Sequence, residues 1–534
     1  MTIEAPYYPI VYVRGYAATM GEIEDTVATP YMGFNSGSTK IRQDYQGDIK
    51  RFIFESPLIR LMKDEEYVDA YQNGDFISPD QTVPPRSVWI FRYYEPVSAD
   101  IGDGKRQTLP HFAYELRKFI LRIREQVCGS NAAMQKKFKV YLVAHSMGGL
   151  ICRCYLQNIC KHGVGDAFDK GKLPNITEQK KLGLHKTQLP ADTLVDKVFT
   201  YATPHNGIEV GGLNVPDIGP LDRIHARNFN RDYMRDYLRL PKRSKRVDSL
   251  NNAFPADRFF CFVGSNYRDY EAFLGLSKKA TGPMSDGLVM INNASVKGAP
   301  RAVAHRSHSG DYGIVNSEEG YQNLRRFLFG NVRVDFRLLI DEITLPATIV
   351  NEVKDRRERV RAAYNIETAA SLRGLNVLLN ERRVAQQSSI RRTYERLVRQ
   401  KTGRHIYLFS GYLIERGKMP RRSDEALAFT VELGVQVPVY EVDNRFWMDD
   451  HFEGGYVFKD TITFHVFRND KETVVKYGLA SVAGLGVAED QLPLKSRSQG
   501  QFSLEIPIGF PEGADTPPAP GLRGRFQMIA GPWN

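Results

Sequence analysis

The run Val140-Tyr141-Leu142-Val143-Ala144-His145-Ser146-Met147-Gly148-Gly149-Leu150 constrains this chain more than any other. Apolar residues suited to a buried strand lead into a serine among small neighbours, and an apolar helix start follows at once. A strand that turns so sharply into a helix pushes the serine out at the bend, where its hydroxyl can meet a reactant. The usual pattern is G-x-S-x-G, and Ala144 stands in the first glycine's place. The bend tolerates little bulk there, and a methyl group still fits. Gly148 and Gly149 let the following helix approach the sheet.

Further apolar runs at Ile10–Val13, 88–91, 198–201 and 259–263 predict strands buried on both faces. Phe112, Leu116, Phe119, Ile120, Ile123 and Val127 repeat at helical spacing between two of them. Ser317 and Gly330 bracket a second helix, Glu318–Phe329, as N-cap and stop. Alternation of this kind predicts an α/β domain over 1–330, with a mainly parallel sheet and its chemistry at the carboxyl edge. Beyond it, a basic connecting segment over 331–404, partly helical, is expected; residues 351–405 hold 14 Lys/Arg against 6 Asp/Glu. Runs at 405–415, 426–442, 455–467, 474–482, 502–510 and 522–529, punctuated by Gly, Pro, Asn and Asp, predict an all-β, sandwich-like domain over 405–534.

A serine hydroxyl is a poor nucleophile at neutral pH and needs a base, which in turn needs an orienting carboxylate. Downstream of Ser146 the chain offers Thr281-Gly282-Pro283-Met284-Ser285-Asp286-Gly287-Leu288-Val289 and then Ala304-His305-Arg306-Ser307-His308-Ser309-Gly310. Asp286 and His308 both fall in loops, in the order serine, acid, histidine that such a sheet uses. His305 is the alternative base, and Asp269 and Asp311 are rival acids.

These segments resemble lipases of the α/β-hydrolase superfamily. S-D-G-L-V at 285–289 and S-H-S-G at 307–310 are similar to the acid and histidine segments of bacterial triacylglycerol lipases. Thr203-Pro204-His205-Asn206-Gly207 resembles their T-P-H-x-G segment, and residues 144–149 resemble the elbow of deacylases acting on glycosylphosphatidylinositol anchors. The resemblance implies an α/β-hydrolase fold, with Ser146 as nucleophile, His308 as base and Asp286 as its orienter. Elbow geometry offers the Met147 N–H as one oxyanion donor, and the loop after the first strand offers that of Tyr16. Lipases carry His-Gly where this chain has Arg14-Gly15, leaving the Arg14 guanidinium to meet a substrate phosphate or a structural carboxylate. Arg14, Gly15, His145 and His205 are expected to support the site rather than react.

Residues 207–257 form an insertion that reads as a cap or lid. Arg227, Arg231, Arg235 and Arg239 recur every four residues, as do Phe229, Tyr233 and Tyr237, predicting a helix with one arginine and one aromatic stripe. Asp232 and Asp236 are spaced to pair with Arg235 and Arg239. Its aromatics would pack on the domain, or its basic face would touch an anionic lipid surface.

Net charge is +11, yet the basic segment lacks interleaved aromatics and zinc spacing, which excludes a recognisable nucleic-acid module. No apolar run reaches the ~18 residues of a membrane helix. The amino terminus lacks a basic, apolar leader and the five cysteines form no even framework, so a cytoplasmic location is expected. The chemistry demands no metal and no cofactor. The resulting expectation is a serine hydrolase, esterase or lipase and including phospholipase, cleaving carboxylic esters of lipid or lipid-like substrates through an acyl-enzyme, with transient contact to an anionic membrane surface. The same triad would also serve amides or thioesters. A non-catalytic α/β-hydrolase-like binding protein is the reading from another class.

Overall fold

Valine, isoleucine and phenylalanine dominate the strands that build the first part of the chain, because both faces of its sheet are covered. The computed structural model describes residues 2–17, 20–70, 82–105, 107–162, 194–210, 213–215, 226–270, 281–353, 360–414, 427–442, 450–468, 473–484, 494–497 and 500–534. Two units form: Met1–Arg301 with Arg306–Phe329, and Ala302–His305 with Gly330–Asn534. No helix among the described residues is long and apolar enough to cross a membrane.

The α/β sheet has seven strands: β1 Ile10–Val13, β2 Val68–Asp69, β3 Ser87–Ile90, β4 Val140–His145, β5 Val195–Tyr201, β6 Phe259–Gly264 and β7 Arg301–Ala304. Their order is β7-β6-β5-β4-β1-β3-β2. From β6 across to β2 every neighbouring pair is parallel. The chain leaves β1 toward β3 and later returns on the other side through β4, so strand order reverses between β1 and β4. A crevice opens beyond the carboxyl ends at such a switch point. Val13 pairs with Ala144 there, so the loop after β1 and the bend after β4 leave the sheet at one level.

Four helices matter to the site: α1 Leu109–Cys128, α2 Met147–Cys154, α3 Arg231–Tyr237 and α4 Glu318–Phe329. Helix α1 buries Phe112, Leu116, Ile120, Ile123 and Val127, while half-buried Phe119 packs on Trp89 and Phe91. Helix α4 has the expected limits, and the Ser317 hydroxyl caps it by accepting from Gly320 N–H at 3.0 Å. All five cysteines are buried free thiols.

Among the described residues the paired strands of the second unit run antiparallel. Its strands are β8 Val332–Thr344, β9 Val360–Leu372, β10 Leu378–Arg382, β11 Ile390–Thr393, β12 His405–Leu413, β13 Leu427–Val442, β14 Asp450–Arg468, β15 Thr473–Leu479, β16 Lys495–Ser496, β17 Phe502–Gly509 and β18 Gly521–Pro532. One sheet runs β12-β8-β18-β17-β16; the other runs β10-β9-β13-β14-β15, with β11 beside β9. Phe336 of the first sheet lies 4.6 Å from Phe409 beside it and 6.0 Å from Phe429 of the second, so the two sheets share one core as a sandwich.

The basic, partly helical connector expected over 331–404 does not form. Among the described residues that stretch carries β8 to β11, with a short helix at Ala347–Val353 and one turn of π-helix at Glu395–Arg399. In β8, Val334, Phe336 and Leu338 face the core, and Arg333, Asp335 and Arg337 alternate with them. Charges at every second position mark one wet face of a strand. The run Arg356-Arg357-Glu358-Arg359 lies outside the described residues, as do 211–212 and 216–225 of the insertion.

Candidate active site

Ser146 occupies the bend between β4 and α2 with φ 49° and ψ −123°, a conformation that side chains rarely adopt. Its N–H donates to Tyr201 O at 2.9 Å, tying the bend to the end of β5. Serine at an N-cap position normally turns its hydroxyl back to the helix amides, and Ser146 makes no such bond. The oxygen instead reaches His308. Small residues surround the bend because backbone crosses backbone there. A Cβ on Gly148 would come within 2.3 Å of Val13 O, and one on Gly149 within 2.2 Å of Thr203 Oγ1. A Cβ on Gly15 would sit 2.9 Å from the Ser146 Cβ, so the loop after β1 lies directly on the nucleophile candidate.

His308 Nε2 is 2.9 Å from Ser146 Oγ, and His308 Nδ1 is 2.8 Å from Asp286 Oδ2. Nδ1–H therefore donates to the carboxylate and leaves Nε2 to accept the serine proton. Asp286 is 1% exposed, and its second oxygen accepts from Leu288 N–H at 3.0 Å and Val289 N–H at 2.7 Å. The two loops are stitched directly, His308 N–H donating to Asp286 O at 2.9 Å. Gly264, ending β6, makes room: a Cβ there would lie 2.7 Å from both Arg306 O and the Asp286 Cβ. Gly287 has φ 98°, and a Cβ on it would strike Tyr270 at 2.5 Å. Tyr270 in turn sets its ring 5.4 Å from that of His308.

The imidazole bonded to Ser146 is that of His308, not His305, which follows β7 directly. Of the rival acids, Asp269 accepts from Asn266 Nδ2 at 2.6 Å, and Asp311 is exposed beside Arg51. Met147 opens α2, so its N–H has no helical carbonyl four residues back and lies beside the serine. Tyr16 follows Gly15 and packs edge-on against Phe229 at 5.5 Å. The Arg14 guanidinium donates to Met32 O at 2.6 Å. His145 packs on the His308 ring at 4.9 Å, and its Nε2 donates to His308 O at 3.0 Å. Burial, the adjacent His308 and Arg14 hold the His145 imidazole well below its ordinary pKa, so it stays neutral.

His205 is fully buried, with Nε2 3.1 Å from Thr200 Oγ1. Its carbonyl accepts from Arg153 at 2.8 Å, a residue that sequence reasoning missed. Arg153, on α2, is fully buried and also donates to Val247 O and Ser249 O, each at 2.8 Å, and to Gln157 Oε1 at 2.9 Å. Burial lowers its pKa to about 10, which leaves it charged at neutral pH. Arg153 thus ties the elbow helix to both ends of the insertion. The one available signal was a lone arginine in the apolar run Leu150-Ile151-Cys152-Arg153-Cys154.

Within the insertion, the helix is shorter than expected, Arg231–Tyr237, because Asn230 caps it by accepting from the N–H groups of Asp232 and Tyr233. Asn228 Nδ2 reaches Met147 Sδ at 3.9 Å, and Phe229 is buried against Tyr16. The arginine stripe turns inward. Arg231 binds Glu209 and Asn206 O, Arg235 binds Asp232 and Ser244 O, Arg239 binds Asn158 Oδ1, and Arg227 covers the Tyr233 ring.

No protein-family model matches this chain, and no curated protein does. Among solved structures it is similar to the lipase BlEst2 of Bacillus licheniformis in mature form, at 13% identity over 61% of this chain and 92% of that one, with a TM-score of 0.27. The product of the gene lin2722 of Listeria innocua gives 12% identity, 60% and 93% coverage and a TM-score of 0.27. The metagenomic carboxyl esterase MGS0156 gives 11%, 58%, 66% and 0.25. Superposition this loose leaves the chemistry to be read from the side chains themselves.

Proposed function

We propose that this chain is a serine hydrolase that cleaves carboxylic esters of lipid or lipid-like substrates. One observation carries the reading: an unbroken hydrogen-bonded line from Ser146 Oγ through His308 to Asp286, buried beside a sheet switch point. In the mechanism, His308 Nε2 takes the serine proton as Oγ attacks the ester carbonyl. Asp286 holds the imidazole in the right tautomer and stabilises its cation. Negative charge on the carbonyl oxygen is met by the N–H groups of Met147 and Tyr16. The imidazolium then protonates the departing alcohol, and the same nitrogen activates the water that clears the acyl-enzyme. Phe229, Tyr16 and Met147 give the surroundings of the elbow an apolar character that favours an acyl chain over a small polar acid.

Esters of graded chain length test this, with parallel labelling by a fluorophosphonate. Hydrolysis should rise from acetate toward longer acyl groups, and Ser146→Ala should abolish both turnover and labelling. Turnover retained by that variant would remove the assignment. Cleavage of an anilide or thioester in preference to every ester would move the activity to the related acyl-transfer class.

A further inference from the structure

Among the described residues, eleven large apolar side chains are exposed, and four of them, Tyr45, Ile49, Phe52 and Ile53, fall within nine residues. They belong to an antiparallel hairpin, Thr39–Gln43 paired with Ile49–Ile53, that forms a two-stranded sheet of its own. Its second strand is exposed along its whole length: Ile49 is 73% and Ile53 74% accessible, and Tyr45 at the tip reaches 93%. A lone hairpin is marginal in water, and an apolar cluster left uncovered on one points to a partner.

The root of this hairpin is fixed beside the candidate active site. Thr39 N–H donates to Asp311 O at 2.7 Å, and Arg306 donates to Thr39 O at 2.9 Å. Arg306 and Asp311 lie two residues before and three after His308 on one loop. Whatever the hairpin rests on is therefore held near the segment that carries the base.

Charge selects the partner. The hairpin carries four Lys/Arg against two Asp, in a chain of net charge +11. Along the second strand Ile49, Arg51 and Ile53 share one face and Lys50 and Phe52 the other. Lys50 lies 3.4 Å from Asp44 and 3.5 Å from Asp48, and Arg51 3.9 Å from Asp311, exposed pairs for which a headgroup phosphate competes. Against a second copy of itself this surface would set like charge on like. A layer of anionic headgroups over hydrocarbon satisfies both halves: Ile49 and Ile53 enter the boundary from one face, Tyr45 sits at headgroup level, and the cations meet phosphate.

We propose that the hairpin 39–53 docks the protein onto the surface of an anionic phospholipid layer. This rests on reading the chain as a lipid-ester hydrolase, and it assigns the surface contact to the hairpin rather than to the arginine stripe of the insertion.

Vesicle flotation with the full-length Ser146→Ala chain, which cannot consume the lipid, tests it independently of turnover. The chain should float with vesicles of phosphatidylcholine containing one third phosphatidylglycerol, and much less with phosphatidylcholine alone. Ile49→Ser with Ile53→Ser, and separately Tyr45→Ser, should cut partitioning about tenfold with an unchanged thermal midpoint, since these side chains touch solvent. Lys50→Gln with Arg51→Gln should abolish the preference for anionic vesicles. Equal flotation of wild-type and altered hairpins overturns the proposal, as does equal binding to both vesicle types. Conversion of a dimer to a monomer by the isoleucine substitutions would give the face to a second copy instead. Loss of ester hydrolysis as an activity of Ser146, with flotation intact, would sink the enzymatic reading alone.

Discussion

Asp286 accepts two backbone N–H groups and one imidazole N–H, so an asparagine placed there would present an amide where donors already point. Asp286→Asn should therefore turn the His308 ring into the wrong tautomer and lower kcat by about 10⁴, with ester affinity little changed. Steady-state kinetics check this, and a loss of less than tenfold would remove Asp286 from the proposed triad. Two other histidines speak through stability. His205 is fully buried and His145 partly so, and both have pKa values held well below the ordinary 6.5, chiefly by desolvation. In the unfolded chain both take protons near 6.5, so acidification below that value favours unfolding. Their contribution is present above 6.5 and is lost as pH falls, by up to about 1.4 kcal/mol per pH unit for each. Urea titrations between neutral and mildly acid pH should show this slope, and His205→Gln should flatten it. At this scale the sequence was readable where a residue sits in a short local pattern, as Ser146, Asp286 and His308 do. Arg153 was not, because its partners at 205, 247 and 249 are far away in sequence and are backbone carbonyls, which leave no mark in residue type.

Elements obey the same logic at longer range. Helix α2 rests on β1 through Gly148, where the neighbouring atoms are the backbone carbonyls of Val13 and Arg14. Gly148→Ala should destabilise the first unit by about 1–3 kcal/mol, because those carbonyls cannot step aside as a flexible side chain could. Arg153→Leu should cost at least as much: it leaves the buried carbonyls of His205 and Val247 without the Arg153 donor, at about 1–3 kcal/mol for each group left unpaired, while Ser249 O keeps the Gln157 amide at 3.2 Å. Chemical denaturation measures both, and a Gly148→Ala protein of unchanged stability would contradict the close approach. The strands of the parallel sheet were legible because burial on both faces demands an unbroken apolar run, as at Ile10–Val13. The sandwich strands within 331–404 were hidden by their wet face. In Val332-Arg333-Val334-Asp335-Phe336-Arg337 the charges outweigh the period of two, and the segment reads as basic and helical. The insertion helix was overextended because arginine spacing continued through Asn230, whose side chain instead starts the helix.

For the whole molecule, the decisive fact is that the sandwich closes a core of its own. Every residue in the sandwich cluster falls between Val334 and Ala530, while Ser146, Asp286 and His308 all belong to the other unit. A covalent group on Ser146 stays attached when the chain unfolds, so it stabilises the folded unit only through the contacts it makes there. Calorimetry of the full chain should then show two transitions, since two separate cores need not melt together. Reaction with a fluorophosphonate should raise one of them and leave the other in place. Gly148→Ala should lower the same transition that the inhibitor raises, which identifies it as the α/β unit without separating the domains. A single transition that moves as a whole under both treatments would mean that the sandwich and the parallel sheet unfold as one body, and the division at Gly330 would then be one of topology alone.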